Sequence, residues 1–174
     1  MSAGTDLLVD AFGRIREVVE EVVTGLGPGE LAERPGAGEG NSIAWLVWHL
    51  TRVQDDHLAD AAGTEQVWTA QGWAKRFGLP IPAGSTGYGH SRKDVAAVRD
   101  LTARQLTGYH AAVHDTTVDY VATLQVKDLE RVIDSSWDPP VTLGTRLISV
   151  IADDLQHAGQ AAYVRGLLGH RGRV

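Results

Sequence analysis

The chain has 174 residues, 43% hydrophobic and 22% charged, which are ordinary proportions for a globular protein long enough to enclose one core. A formal net charge of −6 argues against a nucleic-acid partner, whose phosphates require a basic face. With no cysteine, the sequence offers no disulfide, no thiolate metal ligand and no thiol nucleophile of its own.

The N-terminal stretch MSAGTDLLVDAFGRIREVV lacks a signal-peptide pattern, and no apolar run approaches bilayer-spanning length. A soluble, cytoplasmic protein with no membrane partner is expected. The first helix is predicted over Asp6 to Leu26, with Thr5 as N-cap and Leu8, Phe12, Ile15, Val19 and Val22 recurring at helical spacing. Gly25, Gly27 and Pro28 end it, and a flexible stretch from Arg34 to Gly40 follows. Asn41 or Ser42 caps the second helix, which carries Leu46, Leu50 and Val53 inward, brings His49 and His57 close to that stripe, and stops at Ala62 before Gly63.

The connection from Gly63 to Leu101 is unusually long and rich in Trp68, Trp73, Phe77 and Tyr88. A short helix near Ala70 to Phe77 is expected there, with the segment both packed on the bundle and functional. Thr102 and Gln105 form a capping box for the third helix, which runs to Leu124. The fourth starts near Thr142, after the Asp138-Pro139-Pro140 turn, and ends at Leu168 before Gly169. Four amphipathic helices with no convincing strand predict an all-α bundle.

Polar residues beside these apolar stripes define the candidate chemistry. Asp153 and His157 are four residues apart in the fourth helix, so both project from one face and can reach a common ion, with His49 as a third donor. Two histidines and a carboxylate leave an open position in a tetrahedral site, as a catalytic zinc centre requires. Bundles build such sites from facing helices. Two competing readings arise from the same pattern. His110 and His114 also stand four apart, but one position round from the apolar stripe, which predicts a flanking, solvated pair. A count of 100° per residue turns Asp154 nearer the bundle axis than Asp153, making it either the carboxylate ligand or a buried partner of Arg165. Asp56, seven residues after His49, is placed to support the site from outside the ligand set.

The stretches SIAWLVWHL (42–50) and HAGQAAYVRGLLG (157–169) resemble the DinB/YfiT-like superfamily. Further strings, WHLTRVQDDH (48–57), TGYGH (86–90) and WDPPVTLG (137–144), are most similar to the short mycothiol S-transferases and to the N-terminal domain of mycothiol-dependent maleylpyruvate isomerase. The resemblance implies one DinB-like four-helix-bundle domain over residues 1–174. It implies a divalent metal, zinc or a similar ion, held by His49, Asp153 and His157, with Asp153 where many members carry His and the isomerase carries Glu. Gly159-Gln160 follows the ligand pair as the family pattern requires.

The activity so implied is a zinc-dependent thiol S-transferase that conjugates mycothiol, as cosubstrate, to small electrophiles in detoxification. No protein side chain beyond the metal ligands is needed as catalyst. A zinc hydrolase or isomerase of the same superfamily, or a non-catalytic metal-binding stress protein, are the alternatives. Arg52, one turn beyond His49, is expected to orient an anionic group. Trp68, Trp73 and Tyr88 are expected to cover the substrates, and Asp56, Asp154 and Gln160 to support the ligands. The isomerase has a further C-terminal domain that helps bind the thiol. This sequence ends at Val174 without it, so the bundle mouth and the long loop are expected to recognise the thiol. A monomer or homodimer is expected.

Overall fold

In the computed structural model, residues 3–171 are described, and four long helices dominate them: α1 (Ala3–Val23), α2 (Ile43–Ala62), α3 (Ala103–Thr123) and α4 (Leu143–Arg171). Each helix has two principal neighbours, α1 packing on α3 and α4, and α2 packing on α4 and α3. The connections from α1 to α2 and from α3 to α4 therefore cross the bundle diagonally. Ile15, Val19, Leu46, Leu50, Leu106, Val113, Leu147 and Val150 fill the centre as one continuous apolar core. The architecture is an all-α, DinB-like bundle.

Local chemistry sets the helix ends. Ser42 caps α2 by accepting from the Trp45 N–H at 3.1 Å, and Gly63 closes it in the left-handed conformation. Thr102 and Gln105 form the expected reciprocal capping box at the start of α3. Three boundaries differ from expectation. Residue Thr5 lies buried inside α1 and is not its cap, and α1 ends at Val23, where Gly25 turns left-handed. Helix α4 continues through Gly169 to Arg171, because a glycine ends a helix only when it leaves the right-handed region.

A further difference is a small antiparallel hairpin, β1 (Val132–Asp134) paired with β2 (Val141–Thr142), with Val132 opposite Thr142 and Asp134 opposite Val141. Strands this short carry too few residues to show alternation in sequence. Nor is the stretch from Arg34 to Gly40 loose, since the Arg34 Nε donates to the Gly40 carbonyl at 2.6 Å. No helix among the described residues is long and apolar enough to cross a membrane.

The long connection between α2 and α3 is pinned down rather than free. It contains three short helices, Val67–Ala70, Trp73–Phe77 and Arg92–Ala97, so the one short helix expected near Ala70 to Phe77 is broken at Gly72. A buried ion pair on α2 holds this segment at two places, residues 66–68 and Ser85. Asp55 accepts from the backbone N–H groups of Val67 and Trp68, both at 2.8 Å, and from the Tyr109 hydroxyl at 2.7 Å. Arg52 pairs with Asp55 at 3.4 Å and donates to the Ser85 carbonyl at 3.2 Å and the Gln66 side chain at 2.9 Å. Two buried charges are tolerated here because nearly every donor and acceptor they carry is matched.

Candidate metal centre

Helices α2 and α4 face one another, and their contact brings His49, Asp153 and His157 together. One ligand atom from each residue lies within 4.8 Å of the other two. Asp153 and His157 project from the same face of α4, with His157 Nε2 3.6 Å from Asp153 Oδ1. His49 reaches the same point from α2, its ring centroid 4.7 Å from that of His157.

Each imidazole is oriented by an acceptor on its far side. The His49 Nδ1 lies 2.6 Å from the Thr86 carbonyl, and the His157 Nδ1 lies 3.0 Å from Gln160 Oε1. An acceptor at Nδ1 requires the proton there, which leaves the Nε2 lone pair of both rings turned to the shared point. Burial pulls the His49 pKa below its ordinary value, although the Thr86 bond opposes this, so the ring is neutral and able to ligate. Trp45 stacks on His49 at 4.6 Å and meets His157 edge-on at 6.2 Å, closing the apolar side.

The remaining oxygen of the carboxylate supplies the test of fit. Asp153 Oδ2 is shielded from solvent and has no hydrogen-bond partner, a costly state for an anionic oxygen. Two imidazole nitrogens and one such oxygen match the donor set of a catalytic zinc-type site. The set carries a net charge of −1 and opens onto a cleft of about 540 Å³ lined by Val53, Asp56, His57, Tyr88, Trp137 and Val150.

A sequence profile of the family described as mycothiol S-transferase matches residues 7–169. The chain belongs to the mycothiol S-transferase family. Among solved structures it is similar to a conserved protein from Enterococcus faecalis, with 31% identity over 95% of this chain and 96% of that one and a TM-score of 0.88. No functionally curated protein matches it significantly.

Within this mycothiol S-transferase bundle, several residues expected at the site take other roles. Arg52 is fully buried and does not line the cleft; its guanidinium is engaged by Asp55, Ser85, Gln66 and the Tyr109 hydroxyl. Trp68 and Trp73 also point elsewhere, packing with Phe77 and against Tyr109 at 5.0 and 5.8 Å, Trp68 within the core and Trp73 half-buried against it. Of the three aromatic residues expected to cover substrate, Tyr88 alone lines the cleft, with its ring exposed to solvent.

Asp154 is 0% exposed, yet neither carboxylate oxygen has a hydrogen-bond partner. The pairing expected with Arg165 is absent, because that guanidinium donates to the Val22 carbonyl at 2.9 Å. Burial therefore raises the Asp154 pKa well above the usual carboxylate range and keeps it protonated. Asp56 faces the cleft and accepts from Gln66 at 2.6 Å, without bonding to a ligand residue. Gln160 does contact a ligand, through the His157 bond above.

The His110 and His114 pair is not solvated as expected. His110 is buried against Thr51 at 3.1 Å, and burial lowers its pKa to about 3. His114 sits beside Arg16 and Asp115.

The loop residues that shape the site were invisible to periodicity. Gly87 adopts φ +99°, and a Cβ there would lie 2.5 Å from His49 Nδ1 and 3.1 Å from the Trp48 ring. His90 accepts from the Trp45 indole N–H at 3.1 Å and contacts Ser85 Oγ at 2.7 Å, fastening the loop that carries the Thr86 carbonyl. The string TGYGH held the signal, in two glycines flanking a tyrosine, but spacing alone gave it no geometric meaning.

Proposed function

We propose that the protein is a zinc-dependent transferase that joins the sulfur of mycothiol to small electrophiles. The observation that carries this reading is the convergence of two Nε2 lone pairs and a partnerless carboxylate oxygen at the head of an open cleft, in a protein without cysteine. A divalent cation held by His49, Asp153 and His157 would stabilise a thiolate near neutral pH.

The protein's own residues do the remaining work. Thr86 and Gln160 hold the two imidazoles in the ligating tautomer, and Trp45 excludes water from their rear. Tyr88 and Trp137, both largely exposed, form aromatic walls against which a hydrophobic electrophile can settle. In the overall reaction the thiol loses its proton, a sulfur–carbon bond forms, and the electrophile's leaving group departs with its bonding pair. Removal of reactive electrophiles is the detoxifying role that this reaction would serve.

The test is turnover of monochlorobimane by metal-assayed protein with and without mycothiol. The expected result is activity that needs both thiol and metal, is lost on chelation and is restored by zinc. Its pH profile should rise with an apparent pKa below the ~8.5 of a free cysteine thiol. Comparable turnover of an ester or amide substrate without thiol would overturn the proposal in favour of a hydrolase.

A further inference from the structure

Beside the metal cleft lies a second concavity of about 440 Å³, bounded by Asp56, His57, Asp60, Thr64, Gln66 and Arg146. The two share Asp56 and His57 as lining residues, so they adjoin as the two halves of one trough along α2. Helix α2 runs along its floor. His49, Val53, Asp56, His57 and Asp60 are spaced at 4, 7, 8 and 11 residues from the first, which puts them on one helical face. At ~1.5 Å per residue, Asp56 and Asp60 stand roughly 10 and 16 Å from His49 along the axis.

The chemistry of this outer concavity is specific. Asp56 is held by Gln66, which is itself anchored by the buried Arg52, so one carboxylate oxygen is fixed and the other remains to accept. Arg146 stands 3.1 Å from His57 Nδ1 and 3.3 Å from Asp134. A guanidinium only donates, so His57 accepts at Nδ1 and carries its proton on Nε2. Burial and the neighbouring Arg146 hold that ring below its ordinary pKa and keep it neutral. The Asp60 backbone carbonyl closes α2 by accepting from Gly63 N–H, while its exposed carboxylate has no hydrogen-bond partner among the described residues.

We infer that this outer concavity binds the neutral, hydroxyl-rich tail of the thiol cosubstrate, with Asp56 and Asp60 accepting from its hydroxyl groups and His57 Nε2 donating. The inference rests on the transferase reading for the identity of the thiol, and on the trough alone for its direction. Two carboxylates, Asp56 and Asp60, line this concavity beside a single guanidinium, that of Arg146, which is already engaged by Asp134 and His57. An acceptor-rich surface with excess negative charge favours hydroxyl donors and disfavours carboxylates. The same sulfur carried on a peptide with two carboxylates, such as glutathione, is therefore rejected at the tail and not at the metal.

The experiment uses the full chain loaded with zinc and N-acetylglucosaminyl inositol, which has the hydroxyl groups of mycothiol and no sulfur. Amide resonances of Asp56, His57, Asp60 and Arg146 should shift on titration, and Asp60→Arg should weaken that binding at least tenfold. In turnover assays, Asp60→Asn should raise the KM for mycothiol at least fivefold relative to that for N-acetylcysteine, and Asp60→Arg should lower the KM for glutathione. Because Asp60 is exposed, neither variant threatens the fold. Sugar-induced shifts confined to other residues, or no shift at millimolar sugar in a protein that turns over mycothiol, would overturn this inference and leave the transferase reading intact. Sugar binding in the trough without thiol-dependent turnover would do the reverse.

Discussion

Replacing Gly87 with alanine tests whether the loop sets the metal site. An added Cβ would lie 2.5 Å from His49 Nδ1, against the ~3.5 Å of ordinary contact, so ring and loop must separate by roughly 1 Å. A shift of that size breaks the 2.6 Å bond between His49 Nδ1 and the Thr86 carbonyl, which holds the ring in its ligating tautomer. Loss of such an outer bond typically lowers metal affinity 10- to 100-fold, about 1.4–2.7 kcal/mol. Alanine at φ +99° also strains the backbone, by ~1–3 kcal/mol.

Gly89 separates the two effects. It too has a positive φ, +71°, but a Cβ there meets nothing within 4 Å. Gly89→Ala should therefore lower thermal stability while zinc affinity stays within threefold of the parent. Gly87→Ala should lower both. Competition titration with a chromophoric chelator, alongside thermal melts, measures the pair. Equal losses of affinity in the two variants would refute the steric argument and assign the effect to backbone strain alone.

Three further predictions concern the ligands and the buried charges. His49→Ala and His157→Ala should each lose stoichiometric zinc while keeping helical content by circular dichroism, because the apolar core is extensive without the ion. A full equivalent of metal in either variant would contradict the ligand assignment. Asp154 should make the metal-free protein less stable as pH rises. Below about pH 4 both folded and unfolded forms are protonated. Above it the unfolded chain ionises while the buried carboxyl, its pKa raised, does not, costing ~1.4 kcal/mol per pH unit until the folded pKa is reached. Asp154→Asn should remove that slope in urea unfolding at pH 5 and 6 with chelator present, and parallel profiles would refute it; Asp153→Asn should instead lower zinc affinity. Finally, Arg52→Met leaves Asp55 charged and buried without its cation, and should destabilise the fold by about 3–5 kcal/mol in chemical denaturation. A change in KM with unaltered stability would restore Arg52 to the substrate site.

Much of this protein can be read from its sequence, because helical burial repeats with the helical period. The stripes through Ile15, Leu50, Val113 and Leu147, with the Ser42 and Thr102 caps, specify four amphipathic helices without any knowledge of how they pack. The shared face of Asp153 and His157 follows from a spacing of four. Periodicity reports that a face is covered, however, and not what covers it. An arginine one turn from a ligand reads alike whether it meets a substrate or the buried Asp55, and Trp68 reads alike as a lid or as core.

Which of these holds is decided by a segment fastened over α2 through contacts between residues far apart in sequence, with Ser85 on Arg52 and Thr86 on His49. The choice between adjacent carboxylates is likewise tertiary. The phase count places Asp154 closer to the axis, and it is the more buried of the two. Yet a ligand must face the other donors, and α2 presents His49 to Asp153. Sequence determined the helices and the donor types; the docking of α2, α4 and the long loop determined which donors meet.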